Sequence, residues 1–205
     1  DRAIEAFVEA VQVDPQTIEL HFALGSLFRR RGETERAIRM HQNLVGRDDL
    51  PQDLKLQALA ELGQDYLKAG LLDRAEEIFD KLRDSDLAED AKRNLLEIYQ
   101  LEKDWEKAIA IASELPDFAS HREIAEYYCE LAAAEIMRSR RDLAAVYLQT
   151  AFERNRKCVR ASLLLGDIQF QQDQLLAAIE TWQRIEQQDP PYLALVAQRL
   201  LDAFR

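Results

Sequence analysis

The chain repeats itself at intervals of about 34 residues, and this period constrains its fold more than any other feature of the sequence. An alanine recurs once in each copy, and its spacing stays within about four residues of that period. Repeats of this size stack, because each exposes an apolar face that only its neighbour can cover. We call these positions the repeat alanines: Ala3, Ala37, Ala75, Ala108, Ala144 and Ala178.

Within each copy the residues have the spacing of two antiparallel helices. In the third copy Leu62, Gly63 and Tyr66 fall on a first helix, and Ala75 and Phe79 fall on a second. This pattern resembles the tetratricopeptide repeat. The resemblance implies an all-α, right-handed tetratricopeptide-repeat superhelix, an α-solenoid of helix-turn-helix units.

The same alignment predicts one array over residues 1–205. It begins in the second helix of a repeat, residues 1–15, and ends in a first helix, residues 192–205. Because both ends lack a partner helix, we expect a fragment of a longer protein. The extra residues before Ala75 fall at residues 48–51, where Asp and Pro predict a loop or a helix start. The complete repeats are predicted at about 18–51, 56–88, 89–122, 125–158 and 159–192.

Small side chains at fixed positions predict where the helices touch. Two helices approach closely only where one presents a small residue and the other a large one. We therefore expect Gly25, Gly63 and Gly166 each to face a bulky side chain. The repeat alanines should be buried against the first helix of the following repeat.

Composition excludes several classes of protein. An apolar fraction of 47% excludes a disordered tail, and 32% charged residues with only short apolar runs exclude an integral membrane protein. A net charge of −11 disfavours general binding to nucleic acid or anionic lipid. Two cysteines cannot form a disulfide framework, which fits a reducing compartment.

Three longer strings narrow the resemblance to the lipopolysaccharide assembly protein B family. They are residues 24–33 (LGSLFRRRGE) followed by 36–42 (RAIRMHQ), residues 62–71 (LGQDYLKAGL) with 73–76 (DRAE), and residues 124–132 (IAEYYCELA). The strings follow the family's order and span essentially the whole chain. The His-Gln pair of the first string is the most specific, because an aromatic residue ordinarily stands at the histidine's position.

That resemblance implies an adaptor of the Gram-negative inner membrane. Family members have an N-terminal anchor, a cytoplasmic repeat region and a C-terminal rubredoxin-like zinc domain, and they help a membrane protease degrade a lipid A-pathway deacetylase. The anchor and the paired Cys-x-x-Cys motifs are absent from this sequence. We therefore expect no cofactor in this chain, protein partners, a possible homo-oligomer, and a location on the cytoplasmic face of the inner membrane.

Catalytic and metal-binding motifs are not evident. The sequence has no phosphate-binding glycine loop, nucleophile elbow or His-Glu-x-x-His motif, so we expect no enzyme activity. His21, His41 and His121 have no metal-ligand spacing. His41 stands in an apolar slot and is predicted to be a hydrogen-bonded packing residue. Cys129 and Cys158 are predicted to be small buried groups rather than reactive thiols.

Basic residues stand out against the acidic total, beginning with residues 29–31 (RRR). They could simply stabilise a helix C-terminus or be solvated. Alternatively, first helices line the concave groove of such arrays, where mixed apolar and cationic groups would suit an acidic peptide. On that hypothesis the partner-binding residues are Phe22, Arg29, Arg30, Gln64, Lys68, Arg160 and Asp167.

Two other functions remain compatible with the sequence. The chain could be the repeat half of a larger enzyme, such as an N-acetylglucosaminyltransferase. It could also be a generic peptide-docking module, although the Lys/Asn pattern of a carboxylate clamp is not evident. A scaffold or adaptor that links a deacetylase to a protease is the function that the family resemblance favours.

Overall fold

The computed structural model describes residues 17–116 and 121–204, and every regular element in these two ranges is a helix. No helix within them is both long enough and apolar enough to cross a lipid bilayer. The helices are α1 (Ile18–Arg30), α2 (Thr34–Val45), α3 (Gln52–Lys68), α4 (Leu72–Leu82), α5 (Ala88–Glu102), α6 (Trp105–Glu114), α7 (His121–Met137), α8 (Arg141–Arg154), α9 (Val159–Gln171), α10 (Leu175–Gln183), α11 (Ile185–Gln188), the 3-10 helix Pro190–Leu195, and α12 (Ala197–Ala203).

The chain divides between Glu102 and Lys103 into two compact units. In the first unit, each of the helices α1 to α5 packs on the next. In the second unit, each of the helices α6 to α10 packs on the next. The division falls between the two predicted helices of the fourth repeat, and the single array stays a prediction.

The turns between paired helices share one backbone feature. A residue with positive φ follows the first helix of each pair, and it is Gly32 (φ 80°) in the first pair and Gly70 (φ 73°) in the second. Glycine adopts this left-handed conformation without a steric cost. The other three pairs use non-glycine residues, which pay that cost for the same turn: Lys103, Ser139 and Asp173.

The ends of the repeats differ in detail from the predicted boundaries. Residues 48–51 do form the loop before α3, but α3 begins at Gln52 rather than near residue 56, and it has 17 residues where α1 has 13. The final first helix, predicted over residues 192–205, is interrupted: a 3-10 helix covers Pro190–Leu195 and α12 covers Ala197–Ala203. Pro190 and Pro191 are the first two residues of the 3-10 helix, a position that proline tolerates, and the break follows at Val196.

The small residues lie where the period predicts. Five of the six repeat alanines have no exposed surface, and Ala3 lies outside the described residues. A Cβ added at Gly25 would overlap the His41 ring, and one added at Gly63 would lie 2.8 Å from Phe79. A Cβ at Gly166 would overlap the indole of Trp182. The predicted pairing of small with large side chains is therefore confirmed.

Burial of Ala75 leads to a first prediction. Ala75 on α4 is 0% exposed, so Ala75→Trp should lower the free energy of unfolding by about 1–3 kcal/mol or more, because the core has no room for the indole. Chemical denaturation measures the loss. The matched control is Glu77→Trp, which adds the same group at an exposed position of the same helix and should change stability by about 0.5 kcal/mol or less. Equal stability of the two variants would contradict the packing argument.

Candidate partner-binding site

A buried ionic network joins α1, α2 and α3 in the first unit. The carboxylate of Asp65 on α3 is completely buried. It accepts a hydrogen bond of 2.7 Å from Nη1 of Arg29 on α1, and its other oxygen lies 2.5 Å from Nδ1 of His41 on α2. Nη2 of Arg29 also donates to Glu61 at 2.6 Å. Three helices are therefore tied through one carboxylate.

The network explains why His41 can occupy a buried position that is apolar in other repeats. His41 packs against Gly25, at the position that Phe79 and Trp182 occupy in their own repeats, and its ring is completely buried. An imidazole there needs a polar partner, which Asp65 supplies. The prediction that His41 is a hydrogen-bonded packing residue is confirmed. The neighbouring Gln42 donates to the hydroxyl of Tyr66 at 2.9 Å, which adds a second polar link between α2 and α3.

The surroundings of Arg29 differ from those that the groove hypothesis predicts. Burial works against its charge, but its hydrogen bonds to Asp65 and Glu61 outweigh burial and raise the pKa of the guanidinium above its ordinary value. The side chain is 18% exposed and engaged within the fold. Predicted as a partner-binding cation of the groove, Arg29 instead binds two carboxylates of its own chain. The position of Arg29 in the sequence did not indicate these ion pairs, because Asp65 and Glu61 belong to the following repeat and are distant in sequence.

The other predicted residues of this unit lie around the network. Phe22 is half-buried, with its ring centroid 6.0 Å from that of His41. Gln64 is exposed and donates to Asn94 at 3.3 Å. Arg30 and Lys68 are exposed, and within residues 17–116 and 121–204 no carboxylate pairs with either. Each is the last residue of its helix, on α1 and α3, which the Arg29–Asp65 bond joins.

In the second unit the predicted residues form ion pairs on α9. Nη1 of Arg160 donates to Glu130 at 2.6 Å and lies 3.7 Å from Glu126. Arg199 binds Asp167 through two hydrogen bonds of 2.6 and 3.0 Å, and this hydrogen bonding raises the pKa of that guanidinium. Arg160 and Asp167 therefore hold α9 to the flanking helices. Both stay predictions as partner contacts.

The two cysteines of the second unit lie in contact. Sγ of Cys129 on α7 is 3.6 Å from Sγ of Cys158, the residue that precedes α9, and both are buried as predicted. Sγ of Cys158 also lies 3.7 Å from Oε1 of Glu126. The hydrogen bond with Cys158, together with burial, raises the pKa of the Cys129 thiol. Their juxtaposition was not predicted, since the two cysteines are far apart in sequence.

A surface cavity of about 700 Å³ lies at the turn after α8. Its lining includes the basic residues Arg156 and Lys157, together with Gln188. Arg184 also lines it, and its guanidinium lies 5.9 Å from the centroid of the Phe152 ring. Sequence reasoning missed Arg184, because nothing in the spacing places it beside the other two cations.

The helix pairs, their packing and their small-residue contacts agree with known sequence families. Tetratricopeptide repeat models match residues 20–54, 60–122 and 129–192. The chain belongs to the tetratricopeptide repeat family. Its fold is accordingly an all-α tetratricopeptide-repeat solenoid, and such repeats serve as protein-interaction scaffolds rather than enzymes.

The resemblance to lipopolysaccharide assembly protein B is also confirmed. The chain is 37% identical to that protein of Escherichia coli strain K12 over 193 residues, which are 92% of this chain and 50% of the relative. It is 35% identical to the protein of Haemophilus influenzae over 204 residues, 94% of this chain and 51% of the relative. The chain therefore spans about half the length of these curated relatives.

Solved structures share the fold at low sequence identity. A crystal structure of MamA matches with a TM-score of 0.52 at 17% identity, covering 87% of this chain and 94% of MamA. YrrB, described as a tetratricopeptide repeat protein with an unusual peptide-binding site, matches with a TM-score of 0.52 at 18% identity, covering 96% of this chain and all of YrrB. These likenesses concern the fold alone.

Proposed function

We propose that this chain is the repeat region of an adaptor that links a lipid A-pathway deacetylase to a membrane protease, at the cytoplasmic face of the inner membrane. The similarity to lipopolysaccharide assembly protein B supports this assignment. It favours an adaptor over the repeat half of a glycosyltransferase. Any membrane anchor and zinc domain would belong to the part of the relatives that this chain does not span.

The observation that carries the proposal is the pair of exposed cations at the ends of α1 and α3. The chain as a whole is acidic, with a net charge of −11. Arg30 and Lys68 are nevertheless exposed without a carboxylate partner in the described part of the chain. An acidic segment of a partner would gain charge-assisted hydrogen bonds from both. The negative remainder of the surface would repel other anionic molecules, which adds specificity.

The buried network gives those cations their position. Arg29 holds α1 against α3 through Asp65 and Glu61, so it acts as a positioning residue rather than a contact. Phe22 and Gln64 would contribute apolar and amide contacts beside the two cations. In the second unit the partly exposed Arg160 and Asp167 would also contact the partner, and their ion pairs hold α9 in place.

Charge reversal of the two cations tests this proposal. We expect Arg30→Glu with Lys68→Glu to weaken binding of the purified deacetylase or protease by at least about tenfold, which corresponds to about 1.4 kcal/mol, because two attractions become repulsions. Surface plasmon resonance with the immobilised chain measures the affinity, and circular dichroism verifies that the helices are retained.

A control variant changes the net charge of the chain by the same amount at two other positions. Arg39→Glu with Lys81→Glu reverses two exposed cations on α2 and α4, the second helices of the same two repeats. This control should bind within about twofold of the unmodified chain, since its net charge equals that of the test variant but its changes lie elsewhere. If both double variants lose affinity equally, net charge rather than the α1 and α3 ends governs the interaction.

A further inference from the structure

We propose that Cys129, Cys158 and Glu126 form a binding site for a thiophilic divalent cation, with Zn²⁺ the ion that their geometry fits best. The proposal is independent of the partner-binding site, because these residues lie on α7 and at the start of α9 in the second unit. One donor atom from each residue lies within 4.8 Å of the other two. Two sulfurs and one carboxylate oxygen are donors that zinc accepts.

The distances agree with a tetrahedral ion. Bonds of about 2.3 Å from zinc to sulfur place two thiolates about 3.8 Å apart across a tetrahedral angle. The Sγ atoms of Cys129 and Cys158 are 3.6 Å apart. A zinc–oxygen bond of about 2.0–2.2 Å places oxygen and sulfur about 3.5–3.7 Å apart. Oε1 of Glu126 lies 3.7 Å from Sγ of Cys158. The third pair, a Glu126 oxygen and Sγ of Cys129, lies within 4.8 Å, so the half-buried Glu126 side chain would need at most a small movement to complete the site.

A fourth coordination position would face solvent. Glu126 and Cys158 line a surface cavity of about 520 Å³, together with Arg160 and Tyr192. Three protein ligands with an open fourth position, filled by water or a small ligand, is a coordination pattern that zinc proteins use. The same cavity gives the ion a path to Cys158, whose side chain is otherwise buried.

Charge balance and the surrounding contacts also favour a cation. Binding of the ion releases one proton from each thiol to solvent. The two thiolates and the Glu126 carboxylate then carry three negative charges, of which a divalent ion neutralises two. The remaining negative charge faces Arg160, whose Nη1 lies 3.7 Å from Oε2 of Glu126. Arg160 is itself fixed by Glu130 at 2.6 Å. Such outer contacts orient a carboxylate whose other oxygen binds a metal.

Cobalt(II) serves as the spectroscopic probe. The full chain, kept reduced, is titrated with Co²⁺; we expect thiolate-to-cobalt charge-transfer absorption that saturates at one ion per chain and disappears when Zn²⁺ is added. Zinc should also raise the melting temperature, since an ion that binds only the folded chain stabilises it. Absence of the charge-transfer absorption from the reduced chain would overturn the proposal.

Variants separate the ligands from their neighbours. Cys129→Ser and Cys158→Ser should each abolish the charge-transfer absorption of a two-thiolate site. Since either serine could disturb the core, Glu126→Gln supplies a partly exposed alternative. It should weaken Zn²⁺ binding by at least about tenfold. Removing a residue that merely orients a metal ligand already lowers metal affinity by about 10–100-fold, and Glu126 would be a ligand itself. The matched control Glu123→Gln, at an exposed position one turn earlier on α7, should bind as the unmodified chain does. Unchanged affinity in Glu126→Gln would show that this carboxylate is not a ligand.

Discussion

Replacing Asp65 with alanine is expected to lower the free energy of unfolding by about 3–5 kcal/mol. The carboxylate of Asp65 is completely buried between Arg29 and His41. Its removal leaves the buried imidazole without its acceptor, and the half-buried guanidinium keeps only Glu61 of its two carboxylate partners. Removing one partner of a buried pair costs more than the pair itself contributes, because the remaining groups stay desolvated. Equilibrium denaturation measures the loss.

Hydrogen exchange then locates the effect. Because the network joins α1, α2 and α3, protection of the backbone amides should fall most in these helices. The control Glu77→Ala removes an exposed carboxylate from α4 and should change stability by about 0.5 kcal/mol or less. A loss below about 1 kcal/mol for Asp65→Ala would mean that the network contributes no more than a surface ion pair.

The same network marks the limit of the sequence-based prediction of the site. Periodicity places Arg29 on a first helix and His41 on a second, and both assignments are correct. Periodicity cannot show that the Asp65 carboxylate lies between Arg29 and His41, because the spacing of residues within each helix does not tell which side chains of neighbouring helices meet. Arg29 therefore resembled an exposed cation in the sequence, whereas in the structure it is bound within the fold and Arg30 and Lys68 are exposed.

The fold was predictable because its signal is steric and recurs in every repeat. A buried alanine recurs at the position of Ala75 in every described repeat, and a glycine recurs at the position of Gly63 in three of them, so the period locates the helices. The turns were less visible. Gly32 and Gly70 indicate left-handed backbone, but Lys103 adopts the same conformation with no glycine to signal it.

Contacts between distant residues of different helices were not predictable in the same way. Cys129 and Cys158 meet because the residue before α9 lies against α7, and the spacing of two cysteines carries no information on that approach. The interruption at Val196, between the 3-10 helix and α12, lies within residues whose helical pattern gave no sign of it. Long-range packing, rather than propensity, decides the contact between the cysteines.

The pairing of Gly166 with Trp182 leads to a prediction whose sign reverses with the background. Trp182 on α10 is 1% exposed and packs against Gly166, Phe170 and the apolar cluster around Ile185. Trp182→Ala should lower the free energy of unfolding by about 3–5 kcal/mol, because it leaves a cavity that rigid helices cannot close. Trp182→Phe should lose less, since it keeps most of the volume and removes an indole N–H that has no hydrogen-bond partner in the described residues.

Gly166→Ala distinguishes direct contact from a general loss of packing. In the unmodified chain the new Cβ would overlap the indole, so we expect a destabilisation of about 1–3 kcal/mol despite the better helix propensity of alanine. In the Trp182→Ala background the overlap is absent, and the same substitution should stabilise the chain by up to about 1 kcal/mol. A double-mutant cycle in denaturant measures this coupling. Additive effects of the two substitutions would contradict a direct contact, and with it the rule that a glycine on the first helix makes room for a large side chain on the second.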